Sequence, residues 1–214
     1  MAQSRSGEDR EIRLQLAMGA VNAINHYGSA KDWIALERWG ERLLAVAQSP
    51  IGREDREIRL QLAMGAVNAI NHYGSAKDWV ALERWGERLL DVAQSPIGRE
   101  DREIRLQLAM GAVNAINHYG SAKDWIALER WGERLLAVAQ SPIGREYREI
   151  QLQLAKGAGV AAIYARNAGN AATFTKWKAY LETTANSELC REGEEISALR
   201  ATAVWRGGAG SNSR

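Results

Sequence analysis

The residues of this sequence with the widest chemical range are three histidines and one cysteine. His26, His72 and His118 follow one another at intervals of 46 residues. If each interval folds into two helices, neighbouring histidines lie about 20 Å apart, because a helix is roughly 10 Å wide. A transition metal needs its ligands within about 2 Å, so these histidines cannot bind one metal together. We expect each histidine to lie in the last turn of a helix, where its charge favours the helix dipole.

Catalytic chemistry has little support in the sequence. Cys190 has no histidine at a spacing that would activate its thiol, and a single cysteine cannot form an intrachain disulfide. Zinc-protease, paired-cysteine and phosphate-loop motifs are absent from the 214 residues. An active site also needs a unique set of residues, whereas most of this chain repeats itself. The sequence therefore predicts a protein that is not an enzyme, with no cofactor and no bound metal.

Uncharged polar side chains form the one pattern that favours ligand binding. They recur on one side of a predicted helix in three successive copies, Gln15, Met18, Asn22 and Asn25, then Gln61, Met64, Asn68 and Asn71, then Gln107, Met110, Asn114 and Asn117. Asparagine and glutamine both donate to and accept from a peptide backbone, and methionine is an adaptable apolar contact. We interpret this stripe as a candidate binding surface for a protein or peptide. The alternative is that these side chains hydrogen-bond from copy to copy and bind nothing.

The copies are segments of 46 residues, and they organise the whole chain. The first and third copies are identical, and the second differs from them only by Val80 in place of Ile34 and Asp91 in place of Ala45. The fourth copy has diverged. The sequence predicts one repeat domain over residues 1–206, made of copies 8–53, 54–99, 100–145 and 146–187 with a terminal capping helix at 188–206, followed by a flexible tail at 207–214.

Each copy contains the pattern of two helices. Apolar residues follow the helical period on two sides of residues 8–27 and on one broad side of residues 30–48. We expect Gly28 to end the first helix, Ser29 to cap the second, and Pro50 to stop the second. Helix pairs with so much apolar surface must pack against the next pair to bury it. The predicted fold is all-α, an α-solenoid of stacked antiparallel helix pairs.

The hairpin pattern resembles the tetratricopeptide repeat. The matching residues are Met18, Gly19, Gly28, Asp32, Trp33, Leu36 and Leu43. The copy is longer than the usual 34 residues of that family, so either a lengthened relative or another helical-hairpin solenoid, such as a HEAT-like one, fits the pattern. The resemblance implies a right-handed superhelix whose first helices line a concave, peptide-binding surface.

Composition and charge bear on partners and location. The 28 basic and 26 acidic residues are interspersed along the chain, and no basic block indicates nucleic-acid binding. No apolar stretch is long enough to span a bilayer, and residues 1–6 lack the apolar core of a signal peptide. Together with the lone cysteine, these features predict a cytoplasmic protein with no nucleic-acid or membrane partner.

The near-identity of the copies exceeds what packing requires, because cores tolerate many apolar exchanges at constant volume. The array is therefore predicted to be recently duplicated or designed. Residues 2–4 match the end of a copy, and we expect further copies to precede them. The first helix should then expose apolar residues that promote self-association, either end to end or as a two-fold dimer. The candidate self-association residues are Leu14, Leu16, Val21 and Ile24.

Two functions fit these observations. The first is a non-catalytic module that binds a protein or peptide, or acts as a scaffold, through the polar stripe. The second is an artificial or structural repeat protein that has no natural ligand and forms a homo-oligomer through its uncapped end.

Overall fold

The computed structural model describes the backbone of residues 2–190 and the side chains of residues 7–190. Helices contain 89% of the described residues, and none of these residues is in a strand. The helices are α1 (Ala2–Ser29), α2 (Trp33–Gln48), α3 (Pro50–Glu54), α4 (Arg56–Ala76), α5 (Trp79–Gln94), α6 (Pro96–Glu100), α7 (Arg102–Ala122), α8 (Trp125–Ala139), α9 (Pro142–Glu146), α10 (Arg148–Asn167) and α11 (Ala171–Asn186). The prediction of an all-α fold built from stacked antiparallel helix pairs is confirmed.

The turn between the two long helices of a hairpin differs from the prediction. The first helix continues through Gly28 to Ser29, and the left-handed residue that ends it is Lys31, with φ at 59°. Asp32, and not Ser29, caps α2, because its carboxylate accepts a hydrogen bond from the backbone N–H of Ala35 at 2.9 Å. The expectations for Gly28 and Ser29 were therefore wrong by one helical turn.

A short helix replaces the turn that Pro50 predicted. Proline does end the preceding ladder of hydrogen bonds, but it also opens α3 at a position where its missing N–H costs nothing. The hydroxyl of Ser49 caps α3 by accepting from the N–H of Gly52 at 3.1 Å. Asp55 then accepts from the N–H of Ile58 at 3.0 Å and starts α4. Each full copy is thus two long helices followed by a one-turn helix.

The contacts between helices divide into two compact blocks, with the boundary inside α7 between Ala115 and Ile116. In the N-terminal block, α1 packs against both α2 and α4, and α4 packs against α5. In the C-terminal block, α10 packs against α11, α8 and α9. The core of each block consists of aliphatic residues and of one tryptophan from each second helix that is fully buried, namely Trp85, Trp131 and Trp177.

The predicted capping helix lies outside the described residues from position 191 onward, as does the whole predicted tail at 207–214. The fourth copy is described, and it forms the hairpin of α10 and α11. Within residues 2–190, none of the helices has both the length and the apolar character needed to cross a bilayer.

Candidate functional site

The polar stripe lies on the accessible side of the first helices. Its members on α1, α4 and α7 are all exposed or half-buried. On α1 every one of the four is exposed, and Met18 has 42% of its surface accessible. On α4 the glutamine, the methionine and the first asparagine are half-buried, because neighbouring helices flank them. The sequence therefore placed these residues on the correct side of the helices.

One position of the stripe joins successive hairpins. The side chain of Asn25 lies 3.2 Å from Nε2 of His72 on the next first helix. In the C-terminal block, the hydroxyl of Tyr164 donates to Oδ1 of Asn117 at the same distance. Tyr164 occupies the place of His72 in the diverged fourth copy. At this position the copy-to-copy hydrogen bond, which was the alternative interpretation of the stripe, is present.

The rest of the stripe leaves polar atoms available. The side chains of Asn22, Asn68 and Asn114 make no hydrogen bond to any residue between 7 and 190. Gln15 bonds only within its own helix, to Glu11 at 2.9 Å. These positions recur on three first helices of the N-terminal block, and packed helices lie about 8–10 Å apart. The result is a set of short parallel rows of amide and methionine side chains.

The fourth hairpin does not continue these rows. Lys156, Val160 and Ile163 stand where the other copies have methionine and two asparagines. The glutamine is kept as Gln153. An uncharged row that could bond a peptide backbone is therefore confined to the first three copies.

The candidate self-association residues divide into two groups. Leu16 is 53% exposed and Leu14 is half-buried, whereas Val21 and Ile24 are buried. Val21 and Ile24 face the next hairpin, where they approach the backbone of Gly65 on α4. They cannot contribute to an exposed end, because the following copy already covers them.

Sequence reasoning missed a polar network between successive second helices. The carboxylate of Glu37 on α2 accepts from the hydroxyl of Tyr73 at 2.7 Å and from Nε1 of Trp85 at 3.4 Å, and it pairs with Arg84 at 2.9 Å. Burial and the hydrogen bond to Glu37 raise the pKa of Tyr73. The charged face of α2 had been read as solvated surface. The missed signal was that each such glutamate precedes a buried tryptophan by 48 residues.

The same network recurs in the C-terminal block. Glu129 accepts from Nε1 of Trp177 at 3.0 Å, and Lys176 donates to Glu129 and to Glu133, both at 2.6 Å. Burial of the tryptophan ring would leave its N–H without water, so the glutamate satisfies it. These carboxylates hold hairpins together and are not free to act as catalytic acids or bases.

Two other surface features carry less chemistry. A β-branched residue near the start of each full second helix is highly exposed, and these residues are Ile34, Val80 and Ile126. A cleft of about 520 Å³ is lined by Arg53, Glu54, Arg59, Ser95, Pro96 and Ile97. Burial and the nearby charge of Arg53 lower the pKa of Arg59. Among residues 7–190, no group of histidine, cysteine and acidic side chains could hold a metal ion.

No protein-family model, curated protein or solved structure matches this chain. The assignment therefore depends on the architecture itself. The regular pairing of helices, repeated at the period of the sequence, makes this chain a helical repeat protein.

Proposed function

We propose that this chain is a non-catalytic binding or scaffolding module, related in design to tetratricopeptide repeats, that holds an extended peptide across α1, α4 and α7. The observation that carries the proposal is the set of unpaired amides at Asn22, Asn68 and Asn114, which recur on neighbouring helices. The cytoplasmic setting predicted from the sequence belongs to the same proposal.

The spacing of these rows suits an extended chain. Neighbouring helix axes are about 8–10 Å apart, and three residues of an extended peptide span about 10 Å. One backbone amide group of the ligand therefore reaches each asparagine in turn. The neighbouring methionines, Met18 and Met110, offer apolar contact to side chains of varied shape. Because neither residue type carries charge, the surface favours the ligand's backbone over a charged side chain.

A peptide array and one substitution test the proposal. A peptide selected from a random array is measured by fluorescence polarisation against the full chain and against Asn68→Ala. Loss of one hydrogen bond to the peptide backbone should weaken binding about three- to tenfold. Arg38→Ala, at an exposed position on α2, is the matched control and should leave the affinity unchanged.

Two outcomes would contradict this function. One is that no peptide of the array binds saturably. The other is that Val80→Ser, at the exposed β-branched position on α5, weakens binding while Asn68→Ala does not. That result would move the binding surface from the first helices to the second.

The second candidate function is a structural repeat protein without a natural ligand, which self-associates by pairing the exposed faces of two first hairpins. It is supported by the exposure of Ile12 and Leu16, at 60% and 53%. Large apolar side chains grouped on one face promote association in water. Light scattering should then give a molar mass that rises with concentration for the natural chain and stays monomeric for Leu16→Glu. A monomeric mass for the natural chain at high concentration would exclude this candidate.

A further inference from the structure

The first hairpin has an open face that the later hairpins keep covered. Ile12 is 60% exposed, whereas its equivalents in the next three copies, Ile58, Ile104 and Ile150, are fully buried. Leu16 is likewise 53% exposed, against 3% for Leu62. Gly19 has open space where a Cβ would be, while a Cβ on its equivalent, Gly65, would meet Leu43 at 2.5 Å. The sequences of these faces are identical, so the difference comes only from what covers them.

The structure also identifies the residues that do the covering. On α4 and α5 the covering side chains come from the preceding hairpin and include Ile24 and Leu43. Two glycines are equally important. The ring of His72 packs onto the backbone of Gly28, and the ring of Trp85 packs onto that of Gly40. A Cβ at either glycine would overlap the ring, so the next hairpin can dock only where these positions lack a side chain.

The C-terminal block repeats this arrangement. The ring of Tyr164 packs onto Gly120, and the ring of Trp177 packs onto Gly132. Polar contacts accompany the packing in both blocks, with Glu37 bonding to Trp85 and Glu129 bonding to Trp177. The covering set is therefore two glycines, two aliphatic residues, an asparagine and a glutamate. It is defined by the copy's own sequence.

The fourth hairpin keeps the face that is covered but has lost the covering set. Ile150, Leu154 and Trp177 are buried in the same way as their equivalents. In contrast, the positions of Gly28 and Gly40 are Arg166 and Lys178. The other replacements on the covering side are Gly159 for Val21, Ala162 for Ile24, Ile163 for Asn25 and Thr175 for Glu37. A hairpin with charged side chains at both glycine positions cannot receive the next tryptophan.

We propose that the open face of the first hairpin is a docking site for a helical hairpin of the same repeat type, supplied by another polypeptide. A second copy of this chain does not fit, because its first three hairpins already use their covering sets and its fourth has none. The partner must carry glycine at the two ring-packing positions, with Val-Ile and Leu-Glu at the remaining ones. Glu11, which is equivalent to the Glu57 that bonds to Arg10, offers it a charged contact. This site is separate from the polar stripe and does not depend on it.

A tethered copy of the repeat tests this proposal. Residues 8–53 are duplicated ahead of the full chain, and the original Leu16 is replaced by cysteine in a chain that also carries Cys190→Ser. The rate of thiol labelling should be that of an exposed cysteine in the unextended chain. It should fall about tenfold or more in the extended chain, because the added hairpin must open before the thiol reacts. Leu62→Cys in the unextended chain gives the rate for a covered position.

The control is the same extension with Gly28→Arg and Gly40→Lys in the added copy, which introduces the two residues of the fourth hairpin. This extension should leave the Leu16→Cys thiol as reactive as in the unextended chain. Equal protection by both extensions, or by neither, would overturn the proposal. So would an open-ended series of head-to-tail oligomers of the natural chain in sedimentation velocity, because the fourth hairpin would then be docking on the first.

Discussion

Glycine has opposite value at different points of this chain, and the difference is decided by a single neighbour. Gly40 is buried in the middle of α2 under the ring of Trp85, whereas Gly19 lies on the open face of α1 with nothing near its missing Cβ. Glycine inside a helix costs roughly 1 kcal/mol relative to alanine. Only a close approach by another group can justify that cost.

Alanine substitutions should separate the two glycines. Gly19→Ala should raise the free energy of unfolding by up to about 1 kcal/mol, through helix propensity alone. Gly40→Ala gains the same propensity but forces the Trp85 ring away, and overpacking of this kind costs roughly 1–3 kcal/mol. Urea titrations of the two variants measure both effects. A stabilised Gly40→Ala would show that the ring moves aside freely.

His72 is the residue whose titration is tied to folding. Burial lowers its pKa below the ordinary value, so the folded state resists protonation while the unfolded state accepts a proton near pH 6.5. The unfolding free energy should therefore fall as the pH drops below about 6.5 and stop falling below the folded pKa. Asn25 remains its hydrogen-bonding neighbour on α1.

The fourth copy supplies the matched variant for this prediction. His72→Tyr reproduces the arrangement of Tyr164 over Gly120, and tyrosine does not titrate between pH 5 and 7. The variant should lose less stability than the natural chain over that range, as measured by denaturant midpoints at each pH. An unchanged pH dependence would assign the effect to another group.

At the scale of the elements, stability depends on hairpin against hairpin. Ile12 and Ile58 have the same sequence surroundings, but the first is 60% exposed and the second is buried under the preceding hairpin. Ile58→Ala should cost about 2–5 kcal/mol of unfolding free energy. Ile12→Ala should cost only a few tenths, as for most surface substitutions. Thermal or urea unfolding measures the pair, and similar losses would show that the open face is covered in solution.

Sequence patterns predicted the elements well and their junctions poorly. The helical periods of residues 8–27 and 30–48 are matched by α1 and α2, because apolar periodicity reports directly on a buried side. Gly28 resembled a helix end, yet its real role is to receive His72. Glu37 resembled solvated surface, yet it satisfies Trp85. Both roles depend on a residue almost one full copy away, and no local pattern contains that information.

For the whole molecule, ion pairs between hairpins form a ladder that runs along the repeats. Arg10 pairs with Asp55 and Glu57, and one copy later Arg56 pairs with Asp101 and Glu103. Burial works to raise the pKa of Asp101, but hydrogen bonds from the Ile104 N–H and from Arg56 outweigh it and lower that pKa. The ladder therefore favours the charged forms at neutral pH.

Salt should weaken this ladder. Each partly exposed pair contributes about 0–1 kcal/mol, and 1 M salt shortens the screening length to about 3 Å. We expect the unfolding free energy to fall by roughly 1–3 kcal/mol between low salt and 1 M NaCl, since several pairs are screened together. Arg56→Gln should show a smaller decrease in urea titrations at the two salt concentrations. Equal salt dependence in both proteins would mean that these pairs contribute nothing.

The identity of the covered faces has a consequence for how the chain reaches its native state. A refolding α4 meets the same complementary surface on its own α1 and α2 as on those of any other molecule, since residues 8–53 and 100–145 are identical. Only the tether makes the correct neighbour more frequent. Concentrated refolding should therefore yield strand-exchanged tangles between molecules, and dilution should restore the yield.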